Sequence, residues 1–101
     1  MHPAKVLGAA LLAALMPLAA HANADLARSK NCMACHGVDK KLVGPAFKDV
    51  AAKYKADKAA GAQLAQSIVK GSTGKWGPIP MPPNAVSDAD ATALAKWVLS
   101  L

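Results

Sequence analysis

The sequence predicts an all-α protein of three or four short helices with one structured loop. Three segments repeat apolar residues at helical intervals of three and four positions, at 47–54, 64–69 and 94–101. A stretch rich in glycine and proline at 71–86 separates the last two segments. The chain contains no alternating run of β-branched residues, so nothing in it favours a sheet.

The N-terminal residues are typical of an export signal. Lys5 supplies a positive charge, an almost wholly apolar run follows, and Ala20-His21-Ala22 places small residues one position apart. We therefore expect residues 1–22 to be a cleaved signal peptide, with a cut after Ala24 as the alternative, and residues 23–101 to form one periplasmic domain. An uncleaved membrane anchor is less consistent, because the apolar run is short for a membrane span.

The charge balance argues against a nucleic-acid-binding protein. The formal net charge is +6 at pH 7, with 12 Lys and Arg residues against 6 Asp and Glu residues. The lysines are scattered, however, with no run longer than Lys40-Lys41. A solvated basic surface that steers acidic partners fits this pattern better. We expect a monomer with no nucleic-acid partner and no stable membrane insertion after cleavage.

The first two helices are placed by their flanking residues. A short helix is expected to open at Asp25 and to run over 25–31 into Cys32. The second helix follows Pro45, which suits a helix start because the first turn leaves its N–H groups unpaired. Its apolar face consists of residues at helical spacing, namely Phe47, Val50, Ala51 and Tyr54.

The last two helices have recognisable ends. The third ends at Gly71, since glycine commonly follows a helix C-terminus. The fourth is capped by Ser87, and Asp90 completes a pattern that resembles a capping box with Asp in place of Glu. The apolar stripes are Leu64, Ala65, Ile68 and Val69 in the third helix and Leu94, Trp97, Val98 and Leu101 in the fourth.

Both cysteines lie in one pentapeptide, Cys32-Met-Ala-Cys35-His36. A disulfide across two residues would close a tiny loop and stabilise little. A thioredoxin-like pair needs a strand-to-helix context, and zinc needs a fourth ligand that no other Cys or His of residues 23–101 supplies. The C-x-x-C-H motif is an attachment sequence for c-type haem. We therefore favour covalent haem, with thioethers at both cysteines and His36 bound to iron.

A haem iron with one histidine ligand has a second axial position. Met1 and Met16 leave with the signal peptide, and Met33 lies inside the attachment segment. Met81 remains, and it stands among four prolines in the sequence GPIPMPPN at 77–84. Prolines fix φ and lower the entropy of the unfolded chain, so they reduce the cost of presenting a weak thioether ligand. A methionine ligand also raises the reduction potential.

Four segments together resemble the small bacterial class I c-type cytochromes of the cytochrome c-551, or cytochrome c8, type. The segments are Cys32-x-x-Cys35-His36, VGPAFKDV at 43–50, GPIPMPPN at 77–84 and AKWV at 95–98. The resemblance covers essentially all of residues 23–101. It implies a small class I cytochrome c fold, with three to four short helices wrapped around one covalently attached haem c.

The resemblance also implies roles for individual residues. It assigns thioether bonds to Cys32 and Cys35 and axial ligation to His36 and Met81. The backbone carbonyl of Pro45 would accept the proton on the other ring nitrogen of His36, which fixes the imidazole tautomer.

Three further residues have implied or expected positions. Asn84 is similar to the family residue that orients the methionine side chain. Trp76 is similar to one that hydrogen-bonds a haem propionate, with plain packing as the alternative. Trp97 is expected in the core.

The function implied by the resemblance is a periplasmic single-haem electron carrier, with no enzymatic activity and no catalytic residue. Relatives pass electrons from a cytochrome bc complex or other membrane donors to a haem nitrite reductase or a terminal oxidase, and the sequence does not choose among these partners. A haem-based peroxidase or gas-binding protein is the alternative, in which the bond to Met81 breaks. A thiol oxidoreductase would need Cys32 and Cys35 free.

We also expect a small apolar docking patch beside the haem edge. Val43, Pro45 and Ile79 are the candidates, because they are apolar and flank the ligand segments. Ordinary core packing is the alternative for each of the three residues.

Overall fold

The computed structural model describes residues 23–101, so the predicted signal peptide at 1–22 lies outside the described residues. Helix α1 occupies residues 23–29, and a 3-10 helix follows at Cys32–Ala34. Three further helices complete the fold, namely α2 at Phe47–Lys53, α3 at Ala60–Lys70 and α4 at Asp88–Leu99. Across these residues the only strand-like pairings are two isolated bridges, between His36 and Lys41 and between Ser72 and Met81. The all-α prediction is confirmed.

Helix α1 differs from the predicted bounds of 25–31. The chain is already helical at Asn23, so Asp25 lies inside the helix, where its carboxylate pairs with Arg28. The helix stops two residues before Asn31, whose φ of 63° is left-handed. Asparagine tolerates this conformation better than most residues, and it turns the chain into the 3-10 helix. The predicted helix from Asp25 into Cys32 was therefore wrong in its bounds.

Helix α4 packs against both α2 and α3 and forms the centre of the core. The core cluster contains six buried apolar residues, namely Ala27, Phe47, Val50, Leu94, Trp97 and Val98. This confirms the predicted apolar faces of α2 and α4 and the core position of Trp97. Leu101 is the exception, because α4 ends at Leu99 and Leu101 is 38 % exposed beyond it.

The predicted helix ends are confirmed at Gly71 and Ser87. The Ser87 hydroxyl accepts a hydrogen bond of 3.1 Å from the backbone N–H of Asp90, which caps α4. Gly71 ends α3 with a φ of 84°, in the left-handed region where glycine is favoured. A Cβ at Gly71 would also lie only 2.7 Å from the carbonyl oxygen of Met81. Gly71 is therefore required for the turn and for its contact with the loop.

The loop at 71–86 is irregular, as predicted, but its backbone is anchored. Ser72 and Met81 exchange two backbone hydrogen bonds of 2.9 and 2.8 Å, which close the intervening residues into a loop. Asn84 then returns the chain to α3, because its backbone N–H donates to the Ile68 carbonyl at 3.1 Å. None of the helices in the described part of the chain is long and apolar enough to cross a membrane.

Candidate functional site

A cavity of about 450 Å³ lies between the segment that follows the 3-10 helix and the loop at 71–86. Five of the predicted site residues line it, namely Cys35, His36, Pro45, Trp76 and Met81. Apolar side chains form much of the remaining wall, including Leu42, Val43, Phe47, Val50, Leu64, Ile68, Ile79 and Val98. A concave, largely apolar cavity with a few polar groups is typical of a cofactor site.

The pentapeptide that contains the cysteines is compact. The backbone N–H groups of Cys35 and His36 both donate to the Cys32 carbonyl, at 3.2 and 3.0 Å. Cys35 lines the cavity, whereas Cys32 is half-buried and packs against the core cluster. The two residues form no disulfide with each other. Both thiols are thus held on one short turn, with neither used for a protein cross-link.

The surroundings of Cys32 do not suit a redox-active thiol. Burial raises the pKa of the Cys32 thiol above its ordinary value, and a backbone hydrogen bond opposes this shift. Reactive cysteines instead have a lowered pKa, since the thiolate is the nucleophile. A neutral, half-buried thiol therefore gives no support to the thiol oxidoreductase interpretation.

A zinc site also gains no support. Within residues 23–101, no group of three or more His, Cys, Asp or Glu side chains converges on a possible metal position. Structural zinc requires four ligands in tetrahedral arrangement. Cys32, Cys35 and His36 lie within five residues of sequence but do not form such a cluster.

His36 is held by contacts from a segment just beyond it in sequence. Its Nδ1 lies 2.7 Å from the Pro45 carbonyl oxygen, as the resemblance implies. Because a carbonyl only accepts, Nδ1 carries the proton, and Nε2 is left with the lone pair that binds a metal. This arrangement fixes the tautomer that a metal-binding histidine requires.

Two contacts of His36 were missed by sequence reasoning. The Phe47 ring stacks on the imidazole, with centroids 4.8 Å apart and planes 21° from parallel. A Cβ at Gly44 would lie 2.6 Å from Cε1 of the imidazole, so only glycine allows the backbone to approach the ring. Both residues lie in the VGPAFKDV segment, but residue type alone did not separate them from ordinary core and turn positions.

Met81 is positioned through its backbone. It is half-buried, lines the cavity and is paired with Ser72 by the two backbone hydrogen bonds described above. The flanking Pro80 and Pro82 line the same cavity. The loop therefore brings its methionine to the cavity that His36 enters from a distant part of the sequence.

Asn84 attaches this loop to α3. Its side-chain amide donates to the Ile68 carbonyl at 3.0 Å and to the Pro82 carbonyl at 3.3 Å. Asn84 is not among the cavity-lining residues. Its contacts hold the loop backbone, and its implied role in orienting the Met81 side chain stays a prediction.

Trp76 lies at the cavity edge and is 38 % exposed. The Lys53 ammonium lies 4.5 Å from the centroid of its ring, within the range of a cation–π interaction. Lys53 also donates to the Lys75 carbonyl at 3.4 Å. Sequence reasoning did not identify Lys53, because it lies 22 residues before Lys75. The propionate role of Trp76 stays a prediction.

The residues present fit a covalently attached haem. The turn at 32–36 supplies two thiols and an imidazole whose Nε2 is available, and the opposite loop supplies a thioether. Histidine with methionine is a known axial pair for haem iron in electron-transfer proteins. The fold and the donor set define a small c-type haem protein with the class I cytochrome c fold.

Comparison with known proteins agrees with this class. The family profile described as Cytochrome c matches residues 21–101. The chain is 64% identical to cytochrome c-551 of Pseudomonas aeruginosa over 75 residues, which cover 74% of this chain and 72% of that protein. It is 60% identical to cytochrome c-552 of Nitrosomonas europaea over 83 residues, which cover 81% of each chain. The chain belongs to the cytochrome c family.

A solved structure supports the same assignment. Wild-type Nitrosomonas europaea cytochrome c552 superposes with a TM-score of 0.75 at 61% identity, covering 77% of this chain and 98% of that chain. The chain is therefore a small cytochrome of the c-551 and c-552 group, an electron-carrier family with covalently bound haem c. Its two cysteines fit attachment of the C-x-x-C-H type.

Proposed function

We propose that this protein is a periplasmic one-electron carrier in which Cys32 and Cys35 attach the haem and His36 and Met81 bind its iron. One observation supports this most directly. His36 and Met81 line the same cavity from separate segments, while the Pro45 carbonyl holds the other nitrogen of His36 at 2.7 Å. When bound, haem supplies a reversible one-electron change at iron.

The protein's contribution is to hold both ligands in place. The imidazole is restrained by a hydrogen bond and a stacked ring, and the Met81 backbone by two hydrogen bonds to Ser72. Both sets of contacts are made between groups of the protein itself. Ligands that stay in place in both oxidation states keep the reorganisation energy small, which suits a carrier.

A peroxidase or gas-binding function has less support. Peroxide chemistry requires a positioned acid or base near an open iron position. Among residues 23–101, the titratable side chains that line the cavity are Cys35, His36, Lys41, Tyr54 and Lys75, with no carboxylate. On the side of the cavity that Met81 lines, the neighbouring lining residues are Pro80 and Pro82. We therefore propose no enzymatic activity.

An exposed apolar patch at the cavity mouth supports direct contact with redox partners. Val43 and Ile79 are apolar residues on the surface, and both also line the cavity, so each has a side chain beside the haem site. Pro45 is partly buried and its carbonyl oxygen accepts the hydrogen bond from His36, so Pro45 is a weaker candidate for the docking patch. Leu42, which is 49 % exposed and lines the same cavity, is a better third member. We define the docking patch as Leu42, Val43 and Ile79.

The charges around this patch suggest how partners approach. Lys41 and Lys75 line the cavity beside it, and both are exposed. Exposed charges are largely screened beyond about 8 Å at physiological salt, so they speed encounter more than they tighten the complex.

We propose that the protein receives electrons from a membrane donor such as a cytochrome bc complex. It would pass them to a haem nitrite reductase or a terminal oxidase.

The site assignment is tested by expressing the full chain with its N-terminal segment. Periplasmic protein that begins at Asn23, or at Asp25 if the cut follows Ala24, carries a covalent haem mass and shows a His–Met low-spin spectrum would support the proposal. A chain that keeps free thiols, or that begins at Met1 in the membrane fraction, would contradict it.

The docking patch is tested by Val43→Asp and Ile79→Asp. We expect both substitutions to slow second-order electron transfer even at high salt, because they place a charge in the apolar contact. Ala62→Asp on the exposed part of α3, away from the cavity, is the control and should leave the rate near that of the wild type. A rate that collapses with salt and ignores Val43 and Ile79 would show that contact is electrostatic.

A further inference from the structure

The ring that stacks on His36 has a second aromatic neighbour. Phe47 is the first residue of α2 and is 7 % exposed. Its ring meets Trp97 of α4 edge to face, with centroids 5.5 Å apart and planes 74° from parallel. Trp97 is 8 % exposed and does not line the cavity. Three rings thus form a series from the cavity into the core, namely His36, Phe47 and Trp97.

We propose that Phe47 is a positioning residue that sets the orientation of the His36 imidazole plane. The inference rests on the proposed function, in which His36 binds the iron. The hydrogen bond from Nδ1 to Pro45 fixes the tautomer and restrains the ring through one of its atoms. A ring stacked within 21° of parallel restrains the plane itself. Phe47 therefore adds a second restraint, which acts over the whole face of the ring.

Two neighbouring contacts further restrict the orientations open to the His36 imidazole and to the Phe47 ring. The Gly44 backbone lies close to Cε1, where even a Cβ would be only 2.6 Å away. Edge-to-face contact is a favoured arrangement for aromatic pairs, so Trp97 holds Phe47 in turn. Since α4 also packs against α3, the orientation of the imidazole is coupled to the packing of the helical core.

The orientation of the plane matters because an imidazole interacts with iron d orbitals through its π system. In the ferric low-spin protein, this interaction and that of the Met81 thioether together determine how widely the haem methyl proton shifts are spread in the NMR spectrum. When the ligation by Met81 is unchanged, those shifts respond to the imidazole plane, whereas a thermal unfolding curve reports only stability. The two measurements separate a positioning role from simple space filling.

The test compares Phe47→Leu, Phe47→Tyr and Leu94→Ala in the holoprotein. Phe47→Leu keeps an apolar side chain and removes the stacked ring, and Phe47→Tyr keeps the ring. Leu94 is 2 % exposed in the same core cluster and does not line the cavity, so Leu94→Ala lowers stability while both aromatic rings are kept. We expect Phe47→Leu to change the spread of the methyl shifts. Phe47→Tyr, which keeps the ring, and Leu94→Ala should both leave the spread near that of the wild type.

The wild-type protein provides a test that does not depend on a variant folding. In its reduced, diamagnetic state, we expect cross-relaxation between ring protons of Phe47 and His36. Absence of these signals, an unchanged shift spread in Phe47→Leu, or an equal change in Leu94→Ala would overturn the inference. A wild-type spectrum without His–Met ligation would instead refute the proposed function.

Discussion

The two proposed iron ligands are held by different means. His36 is held through its side chain, by a hydrogen bond to Pro45, a stacked Phe47 ring and the close backbone of Gly44. Met81 is held through its backbone, by the pair of hydrogen bonds with Ser72 in a loop containing several prolines. One region restrains a ring, and the other restrains the chain that carries a flexible thioether.

The chemistry of each ligand explains this difference. An imidazole has a defined plane and two nitrogens, so its tautomer and rotation both need control. A thioether has several rotatable bonds and no hydrogen to donate, so side-chain contacts direct it poorly. Restraining the backbone on both sides is then the effective means. The histidine region should therefore be sensitive to side-chain changes and the methionine region to backbone changes.

The largest expected effect is at His36. His36→Ala removes the stronger ligand and the partner of Pro45 and Phe47, so we expect little holoprotein to accumulate. Covalent haem per unit of exported protein is the measurement, and Lys40→Ala, an exposed change in the same segment that does not line the cavity, is the control. Normal yields of a normally coloured His36→Ala protein would show that His36 is not the essential ligand.

Met81→Ala should be less severe, because the attachment turn is unchanged. We expect haem to stay attached, the reduction potential to fall and the iron to bind carbon monoxide or cyanide. Potentiometry and ligand titration measure these effects. The control is Met33→Leu, since Met33 is half-buried against the core cluster and belongs to the attachment turn. A wild-type potential with no new ligand binding would mean that Met81 does not bind iron.

Two glycines test whether Met81 is held through its backbone, namely Gly61 inside α3 and Gly71 directly after it. Gly71→Ala places a Cβ 2.7 Å from the Met81 carbonyl at a φ of 84°, so it should destabilise by more than about 1 kcal/mol and weaken the sulfur-to-iron absorption band. Gly61→Ala has no neighbouring atom within 4 Å and lies inside α3. It should stabilise by about 0.5–1 kcal/mol and leave the band unchanged. Equal effects of the two changes on the band would contradict a backbone-held methionine.

The smallest expected effect concerns Lys75. At alkaline pH, a deprotonated lysine should replace the sulfur on ferric iron, because thioether binds ferric iron weakly. Lys75 is the lysine nearest to Met81 in sequence and it lines the cavity, so Lys75→Ala should move this transition to higher pH. Lys96→Ala on α4, away from the cavity, is the control.

A pH titration of the sulfur-to-iron band measures the exchange. In the wild type the band should persist well above neutrality, because the prolines and the Ser72 pairing keep the loop in place. Loss of the band near neutrality would show that the loop is not rigid.

Local signals in the sequence predicted much of the fold. Gly71 predicts the C-terminal end of α3, and Ser87 predicts the N-terminal end of α4. Both predictions are possible because residues that cap helices act through their own backbone and nearest neighbours. The faces of α2 and α4 follow from helical spacing, since a helix of known period sets which residues share a face. The attachment motif and the proline-flanked methionine are also recognisable from short stretches of sequence. Haem attachment requires the C-x-x-C-H spacing, and the prolines lie next to the methionine in the chain.

The tertiary structure decided what depends on residues far apart in the chain. Helix α1 stops before its predicted end because Asn31 turns the chain into the 3-10 helix, and Leu101 is exposed because α4 stops short of it. Lys53 over Trp76 and Asn84 on the Ile68 carbonyl each join separate elements. The path of the chain sets such contacts, so residue type by itself carries no signal for them.

The same division applies within the site. The sequence by itself determined which atoms can attach and bind a haem, since thiols, an imidazole and a thioether are properties of residue type. Only the tertiary structure decided that Phe47, an ordinary core residue by its spacing, lies on the His36 ring and against Trp97. Its position results from the packing of α2 on α4, because a ring's neighbours are determined only when both helices are in place.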